Sequence, residues 1–340
     1  ASLGYGHPRL TAAIKKQAEE LLFQSNLVAM HVRDEAAEKL ADFAPDGLSR
    51  VFFVNSGSEA NENALRIALQ STGRSNIIAV EHSFHGRTGA AAAVTWGAKT
   101  SWYGFPHTPF NVTFVPRNDI AALKTAINND TAGLIIEPVQ GVAGAFDFSK
   151  EFLTTARALC DKHSAMLILD EVQTGVGRLG TPFGADLFGV TPDLLTTAKA
   201  LGGGVPCAAL LMTDSLAADL RPGALGSTFG GAPLACAAIK TVLEVIEEEN
   251  LLTRVQNIGD LIRDKCVFGP IVGVQGAGFL IGLKTKPQAV QVRDTLLRSG
   301  ILTGTSADPH VLRLLPPFIL EEQHVTLLLR ALQEFKSETF

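Results

Sequence analysis

Three short stretches of the chain hold residue types that could do chemistry together. The first, Val51-Phe52-Phe53-Val54-Asn55-Ser56-Gly57-Ser58-Glu59-Ala60-Asn61-Glu62, reads as a buried strand, a tight polar turn and a helix start. Ser56 and Glu59 have the spacing of a capping box. An ordinary strand-to-helix connection would look the same. If the turn serves a ligand, the free amides of Gly57 and Ser58 at a positive helix end suit a phosphate. The second stretch, Leu167-Ile168-Leu169-Asp170-Glu171-Val172-Gln173, puts an acidic pair at the carboxyl end of a strand, where open α/β sheets bind their ligands. The third holds Lys199, among the small and apolar residues of Thr196-Thr197-Ala198-Lys199-Ala200-Leu201-Gly202-Gly203-Gly204. It is either a surface lysine or a desolvated one, and desolvation lowers the pKa of an ammonium as a Schiff-base nucleophile requires.

A phosphate turn, a strand-end aspartate and a lysine in an apolar site match the three handles of pyridoxal phosphate: its phosphate, its ring nitrogen and its aldehyde. No other cofactor needs that set. An ATPase would also place Asp-Glu after four apolar residues, but the pattern G-x-x-x-x-G-K-[ST] is absent from the chain. Gly175-Val176-Gly177-Arg178-Leu179-Gly180 matches G-x-G-x-x-G, yet Pro182 and Gly184 follow where a helix should open. His82 and His85 are three apart, but Gly86 argues against a regular helix and no second ligand pair is evident, so no metal is expected. Nearby, Phe84 could stack on a flat ring and Arg87 could hold a carboxylate, although each residue type also serves in packing or at the surface. Arg313 sits inside the apolar strand Val311-Leu312-Arg313-Leu314-Leu315. A buried arginine needs an anion, either a substrate carboxylate or a structural acid.

Alternating strands and helices must position these groups. Apolar runs at 51–54, 77–80, 112–115, 134–136, 166–169 and 208–212 predict buried parallel strands. Helical spacing at 59–70, 120–128 and 150–163 between them makes an α/β sheet covered by helices. Longer helices over about 234–249, 251–265, 287–299 and 321–336, with short strands between, predict a smaller α+β domain. The expected division is an N-terminal segment at 1–30, a large domain at 31–234 and a small one at 235–340. The 340 residues are enough for about two domains. With 46% hydrophobic and 19% charged residues, the chain is no disordered segment. A net charge of −5 and the lack of any Lys/Arg run speak against nucleic acid. Cys160, Cys207, Cys236 and Cys266 are scattered without metal-site spacing, which fits a reducing, cytoplasmic setting. No apolar run reaches the ~20 residues of a membrane span. The chain opens at Ala1 in the Gly-rich Leu3-Gly4-Tyr5-Gly6-His7-Pro8, and a missing N-terminal stretch is expected.

The motifs taken together resemble a class III pyridoxal-phosphate aminotransferase, most similar to the acetylornithine and ornithine subgroup. The carrying residues are Asn55 to Glu62, Phe84-His85-Gly86-Arg87-Thr88, Glu137-Pro138-Val139-Gln140-Gly141, Asp170-Glu171-Val172-Gln173-Thr174-Gly175, Lys199, and Gly226-Ser227-Thr228-Phe229-Gly230-Gly231. The resemblance spans essentially the whole chain. It implies the fold of the aspartate aminotransferases (fold type I) and a homodimer with active sites at the subunit interface. It implies that Gly57 and Ser58, with Thr228 of the partner subunit, hold the cofactor phosphate, and that Phe84 and Val172 pack on the two ring faces. Asp170 would pair with the ring nitrogen, Glu171 would also contact the cofactor, and Gln173 would approach the ring oxygen. Lys199 would bond the aldehyde and act as the base. Arg87, Arg313 and Ser227 would bind substrate.

The implied reaction moves an amino group from an ω-amine, N-acetylornithine or ornithine, to 2-oxoglutarate by a ping-pong mechanism in arginine biosynthesis. Three departures mark this chain. Subgroup members carry Glu where Val142 stands, and that Glu pairs with the arginine matching Arg313 while an ω-amine reacts. Ala232 replaces a usual Asn, and Val28-Ala29 replaces a common aromatic. Val142 favours a second expectation, an ω-amino acid or alanine transaminase using pyruvate or glyoxylate. A same-fold aminomutase, a metal hydrolase using His82 and His85 and a non-catalytic cofactor-binding protein are weaker alternatives.

Overall fold

The computed structural model describes residues 2–25 and 27–335. Its main element is a seven-stranded sheet in the order Arg50–Val54, Ala208–Met212, Leu194–Thr197, Met166–Asp170, Thr131–Ile136, Asn76–Val80 and Asn111–Val115. Ala208–Met212 runs antiparallel to both of its neighbours, and the remaining pairs are parallel. The six predicted runs all lie in this sheet, but the expectation that all are parallel strands is corrected: Ala208–Met212 runs against both neighbours, and Arg50–Val54 pairs only with it. Leu194–Thr197 escapes the sequence pattern, because two of its four residues are threonines, although all four are buried.

Side chains alternate between the two faces of each strand. On one face, Ile77, Ala79, Ile135, Ile168 and Leu210 pack beneath Ala64, Leu65, Ile67 and Ala68 of helix Gly57–Thr72. On the other, Ile78, Val80, Leu134, Leu167, Leu169 and Leu211 meet Phe152, Leu153 and Cys160 of helix Lys150–His163 and Ile239, Val242 and Ile246 of helix Pro233–Glu248. Each such fully buried Leu or Ile stabilises the fold by about 1.5–3 kcal/mol relative to exposure.

A second, antiparallel sheet has the order Ile271–Ala277, Leu280–Thr285, Val311–Leu314 and Gly304–Thr305. Helices Leu251–Lys265, Ala289–Arg298 and Glu322–Gln333 bury their apolar stripes with it, and one apolar cluster runs continuously from the first sheet into this region. The predicted end of the last helix at Lys336 lies outside the described residues, as do residues 337–340. Helices Pro8–Glu20 and His31–Phe43 pack on helix Pro233–Glu248. No helix among the described residues is long and apolar enough to cross a membrane.

Every strand of the large sheet except Ala208–Met212 runs in one direction, so the carboxyl ends Val54, Val80, Ile136, Asp170 and Thr197 lie along one edge. The loops leaving that edge build the site.

Candidate active site

A cavity of about 370 Å³ opens at this edge, walled by residues that follow each of those carboxyl ends. Ser56 caps helix Gly57–Thr72, its Oγ accepting from the Glu59 N–H at 3.3 Å. The Glu59 carboxylate folds back to accept from the Asn55 N–H at 3.1 Å and Asn55 Nδ2 at 2.9 Å. The amides of Gly57 and Ser58 belong to the first turn, where the helix offers no acceptor, and both residues line the cavity. Glycine at 57 is a matter of space: a Cβ there would lie 2.7 Å from a methyl of Val172.

Asp170 is buried and held on three sides. Its Oδ2 accepts from Asn61 Nδ2 at 2.8 Å and lies 2.7 Å from His85 Nδ1, and its Oδ1 accepts from the Val172 N–H at 3.0 Å. Asn61 is fixed in turn, since Thr196 Oγ1 donates to its Oδ1 at 2.7 Å and its Nδ2 also reaches the His85 carbonyl at 2.7 Å. Neither Asn61 nor this use of His85 is read from the sequence. A signal for Asn61 does exist there: it is a polar residue on the buried stripe that also holds Ala60, Ala64, Leu65 and Ala68. His82 goes elsewhere, its ring packing near Trp96 with centroids 5.8 Å apart.

Lys199 lies on the cavity wall and reaches solvent through its mouth. Its backbone is left-handed, with φ 37°, at a cost of about 1–2 kcal/mol for a residue with a Cβ. Desolvation by the surrounding protein lowers its pKa, and Arg313 and Arg178 push the same way against Asp170 and Glu137. Phe84, Val172 and Gln173 share the cavity wall with it. Two buried polar atoms on wall residues, His85 Nε2 and Gln173 Oε1, have no partner among the described residues.

Other predicted site residues lie off this wall. Glu171 points away from it: its carboxylate accepts from Thr174 Oγ1 at 2.6 Å, the Gly184 N–H at 2.8 Å and the Ala185 N–H at 2.7 Å. The expectation that Glu171 contacts the cofactor is therefore corrected, because adjacent strand-end residues project to opposite faces and only Asp170 faces the cavity. Burial pushes the Glu171 carboxyl up to about 7 despite these donors. Glu171→Ala would strand three buried donors and should destabilise the fold by about 3 kcal/mol while leaving cofactor affinity within about twofold. Thermal unfolding and cofactor titration of the variant would check both halves.

Arg87 is exposed, its guanidinium 4.7 Å from the Trp102 ring centroid and 5.9 Å from that of Phe84. Arg313 is half-buried. Its Nε donates to the Thr305 carbonyl at 2.8 Å and its Nη1 to the Gly141 carbonyl at 3.0 Å. Among the described residues no carboxylate forms an ion pair with it. Ser227 Oγ accepts from Asn55 Nδ2 at 3.4 Å and from the Gly230 N–H at 2.9 Å, which ties its loop to this chain's own phosphate turn. Thr228, next to it, is exposed and outside this cavity.

The family model for class-III aminotransferases matches residues 1–335. The chain belongs to the class III aminotransferases. It is 40% identical to the acetylornithine aminotransferase of Methanosarcina acetivorans, over 98% of this chain and 84% of that protein. To the acetylornithine aminotransferase of Methanocaldococcus jannaschii it is also 40% identical, over 99% and 86%. Among solved structures, the ornithine aminotransferase of Toxoplasma gondii ME49 superposes with a TM-score of 0.90 at 30% identity, covering 98% of this chain and 83% of that one. An S-selective transaminase from Arthrobacter superposes with 0.88 at 26%, covering 97% and 85%.

The cofactor of this class III aminotransferase is pyridoxal 5′-phosphate, and the cavity suits it. The free first-turn amides offer a phosphate site, the orphaned Gln173 Oε1 and His85 Nε2 mark where a further polar group would lie, and Gly57 leaves room beside Val172.

Proposed function

We propose that this aminotransferase takes the amino group of an ω-amine bearing a carboxylate, N-acetylornithine first and ornithine second, and passes it to 2-oxoglutarate in two half-reactions. What carries the chemistry is the meeting, in one cavity, of Lys199 with the fixed carboxylate of Asp170. What supports the donor is the identity of about 40% to relatives named acetylornithine aminotransferase, together with an Arg313 that donates to backbone carbonyls and, among the described residues, to no carboxylate. A half-buried guanidinium without an ion pair is a receptor for a substrate carboxylate.

Bound pyridoxal phosphate supplies an aldehyde that takes up the amine and a ring that delocalises negative charge. The chain does the rest. Gly57 and Ser58 hold the phosphate, Phe84 and Val172 flank the ring, and Gln173 meets its oxygen. Asp170 keeps the ring nitrogen protonated. With the cofactor bound, Lys199 Nζ would take the proton from the carbon bearing the amine and give one back later in the half-reaction. Its lowered pKa leaves more of it as the neutral amine this step needs. Arg87 and Arg313 bind carboxylates. The chain acts as a homodimer, with Thr228 completing the partner's site. For Thr228 the exposure of its side chain supports this, while the bond to Asn55 ties Ser227 to its own subunit.

Val142 favours one alternative. No carboxylate stands at that position to pair with Arg313, a state suited to an ω-amino acid or alanine donor with pyruvate or glyoxylate as acceptor. An S-selective transaminase of Arthrobacter, 27% identical with a TM-score of 0.87, has been crystallised with alanine bound.

Single-turnover absorbance with a panel of amines separates the two. Bleaching by N-acetylornithine or ornithine and by glutamate is the expected result; bleaching by alanine or β-alanine without glutamate would replace it with the alternative. Arg313→Ala should raise KM for the carboxylated partners about 10- to 100-fold through loss of a charge-assisted contact. An unchanged KM would remove Arg313 from the substrate site.

A further inference from the structure

Glu137 follows strand Thr131–Ile136, is 5% exposed, and lines the cavity. Each of its oxygens accepts from a different loop: Oε1 from the Phe84 N–H at 3.0 Å, Oε2 from the Gly141 N–H at 3.2 Å. The first loop carries the aromatic wall of the cavity. The second carries the Gly141 carbonyl that receives Arg313 Nη1 at 3.0 Å. Gly141 also abuts Gln173 so closely that a side chain at 141 would run into its carboxamide. One carboxylate therefore sets the spacing of Phe84, Gly141 and, through Gly141, Arg313 and Gln173.

We propose that Glu137 is a positioning residue for transamination, its ionised carboxylate joining the Phe84 loop to the Gly141 turn so that ring and guanidinium keep their places. The proposal rests on the roles given above to Phe84 and Arg313. The ionised form suits this arrangement best, because both oxygens then accept at full strength, whereas a protonated oxygen is a weaker acceptor whose O–H needs a partner of its own. Glutamine has the same shape but one carbonyl oxygen, so it can serve Phe84 or Gly141 and not both. The titratable and charged groups that interact with Glu137 are His85, Asp170, Lys199, Arg117 and Arg313. Burial raises the carboxyl well above the ordinary range, partly offset by His85 and the two amides. Protonation as pH falls through the neutral range then loosens the join, and ionisation above that range restores it.

The test compares the cofactor-loaded protein with Glu137→Gln and Arg313→Ala. In Glu137→Gln, the cofactor Kd should rise about fivefold, and KM for carboxylated amines about tenfold, while KM for butylamine, which has no carboxylate, stays within about twofold. The part of the acid limb of kcat/KM that carboxylated donors show beyond butylamine should disappear in this variant and persist in the parent. If Arg313→Ala raises KM and Glu137→Gln changes neither Kd nor the KM ratio, Glu137 is no positioning residue and the Arg313 reading stands. If neither variant moves KM, Arg313 is outside the substrate site and this proposal falls with that reading. Should Glu137→Gln fail to fold, amide exchange in the unaltered protein decides, after correction for intrinsic rates. Joint loss of protection at Phe84 and Gly141 as pH falls through neutrality supports the proposal; separate or pH-independent protection overturns it.

Discussion

Lys199→Ala is expected to lose transaminase turnover by roughly 10⁴-fold, the upper end of what one positioned general base contributes, because the proposed role makes the same side chain the nucleophile as well. The loss would be chemical and not a failure of folding. The Lys199 side chain lies on an open cavity wall, so truncating it leaves no buried group stranded. Its left-handed backbone is strained with or without the long side chain, since alanine carries the same Cβ. The variant should therefore unfold at nearly the parent temperature and still take up the cofactor through the Gly57 and Ser58 amides. Its absorbance should not shift when an amine is added in single turnover. Methylamine, small enough to occupy the vacated volume, should restore part of the rate by acting as a free base. Retention of turnover, or of the amine-induced absorbance shift, would show that another group takes the proton.

Strand runs apolar on both faces are legible because helices cover both faces of the sheet's interior, while Asn111–Val115, at the sheet edge, leaves Asn111 and Thr113 exposed and is legible only from its valines and phenylalanine. The strand that escapes, Leu194–Thr197, buries hydroxyls that neighbours satisfy across long sequence distances, as Thr196 does with Asn61. Such pairing cannot be read from a local pattern. The same limit explains the site. Residues whose role depends on their own backbone, Gly57, Ser58 and Asp170 at strand ends and Lys199 before a glycine run, stand out in the sequence and do line one cavity. Residues that contact the site through distant partners, Asn61 and His85 bonded to Asp170 and Glu137 bonded to two loops, do not, since each partner lies 24 to 109 positions away or is a backbone amide. Glu171 is misread for the complementary reason. Sequence adjacency to Asp170 puts it at the right strand end, but alternation turns it to the opposite face, where two amides and a threonine hydroxyl receive it.

Asp170→Asn should cut the rate of the first half-reaction by up to about 10³-fold. An opposite charge at close range moves a pKa by about 1–3 units, and in the proposed role the ring nitrogen would face a carboxylate shielded from water, so the upper part of that range applies. On that reading, without the charge the ring nitrogen would give up its proton, and the removal of a proton from carbon assigned to Lys199 would lose its stabilisation. The substitution is nearly isosteric yet not silent for the fold. The introduced carboxamide could still accept the Val172 N–H through its oxygen, but its nitrogen would face Asn61 Nδ2, and the Asn61 oxygen is already occupied by Thr196. That donor-to-donor contact should cost about 1–3 kcal/mol in unfolding free energy. The two effects separate in measurement. A slower proton removal appears as a larger isotope effect with a donor deuterated at the carbon bearing the amine, whereas a merely loosened site would weaken cofactor binding and leave the isotope effect unchanged. An Asp170→Asn protein with parental half-reaction rate and isotope effect would mean that the carboxylate only supports the cavity wall, with His85 and Asn61 serving the same structural end.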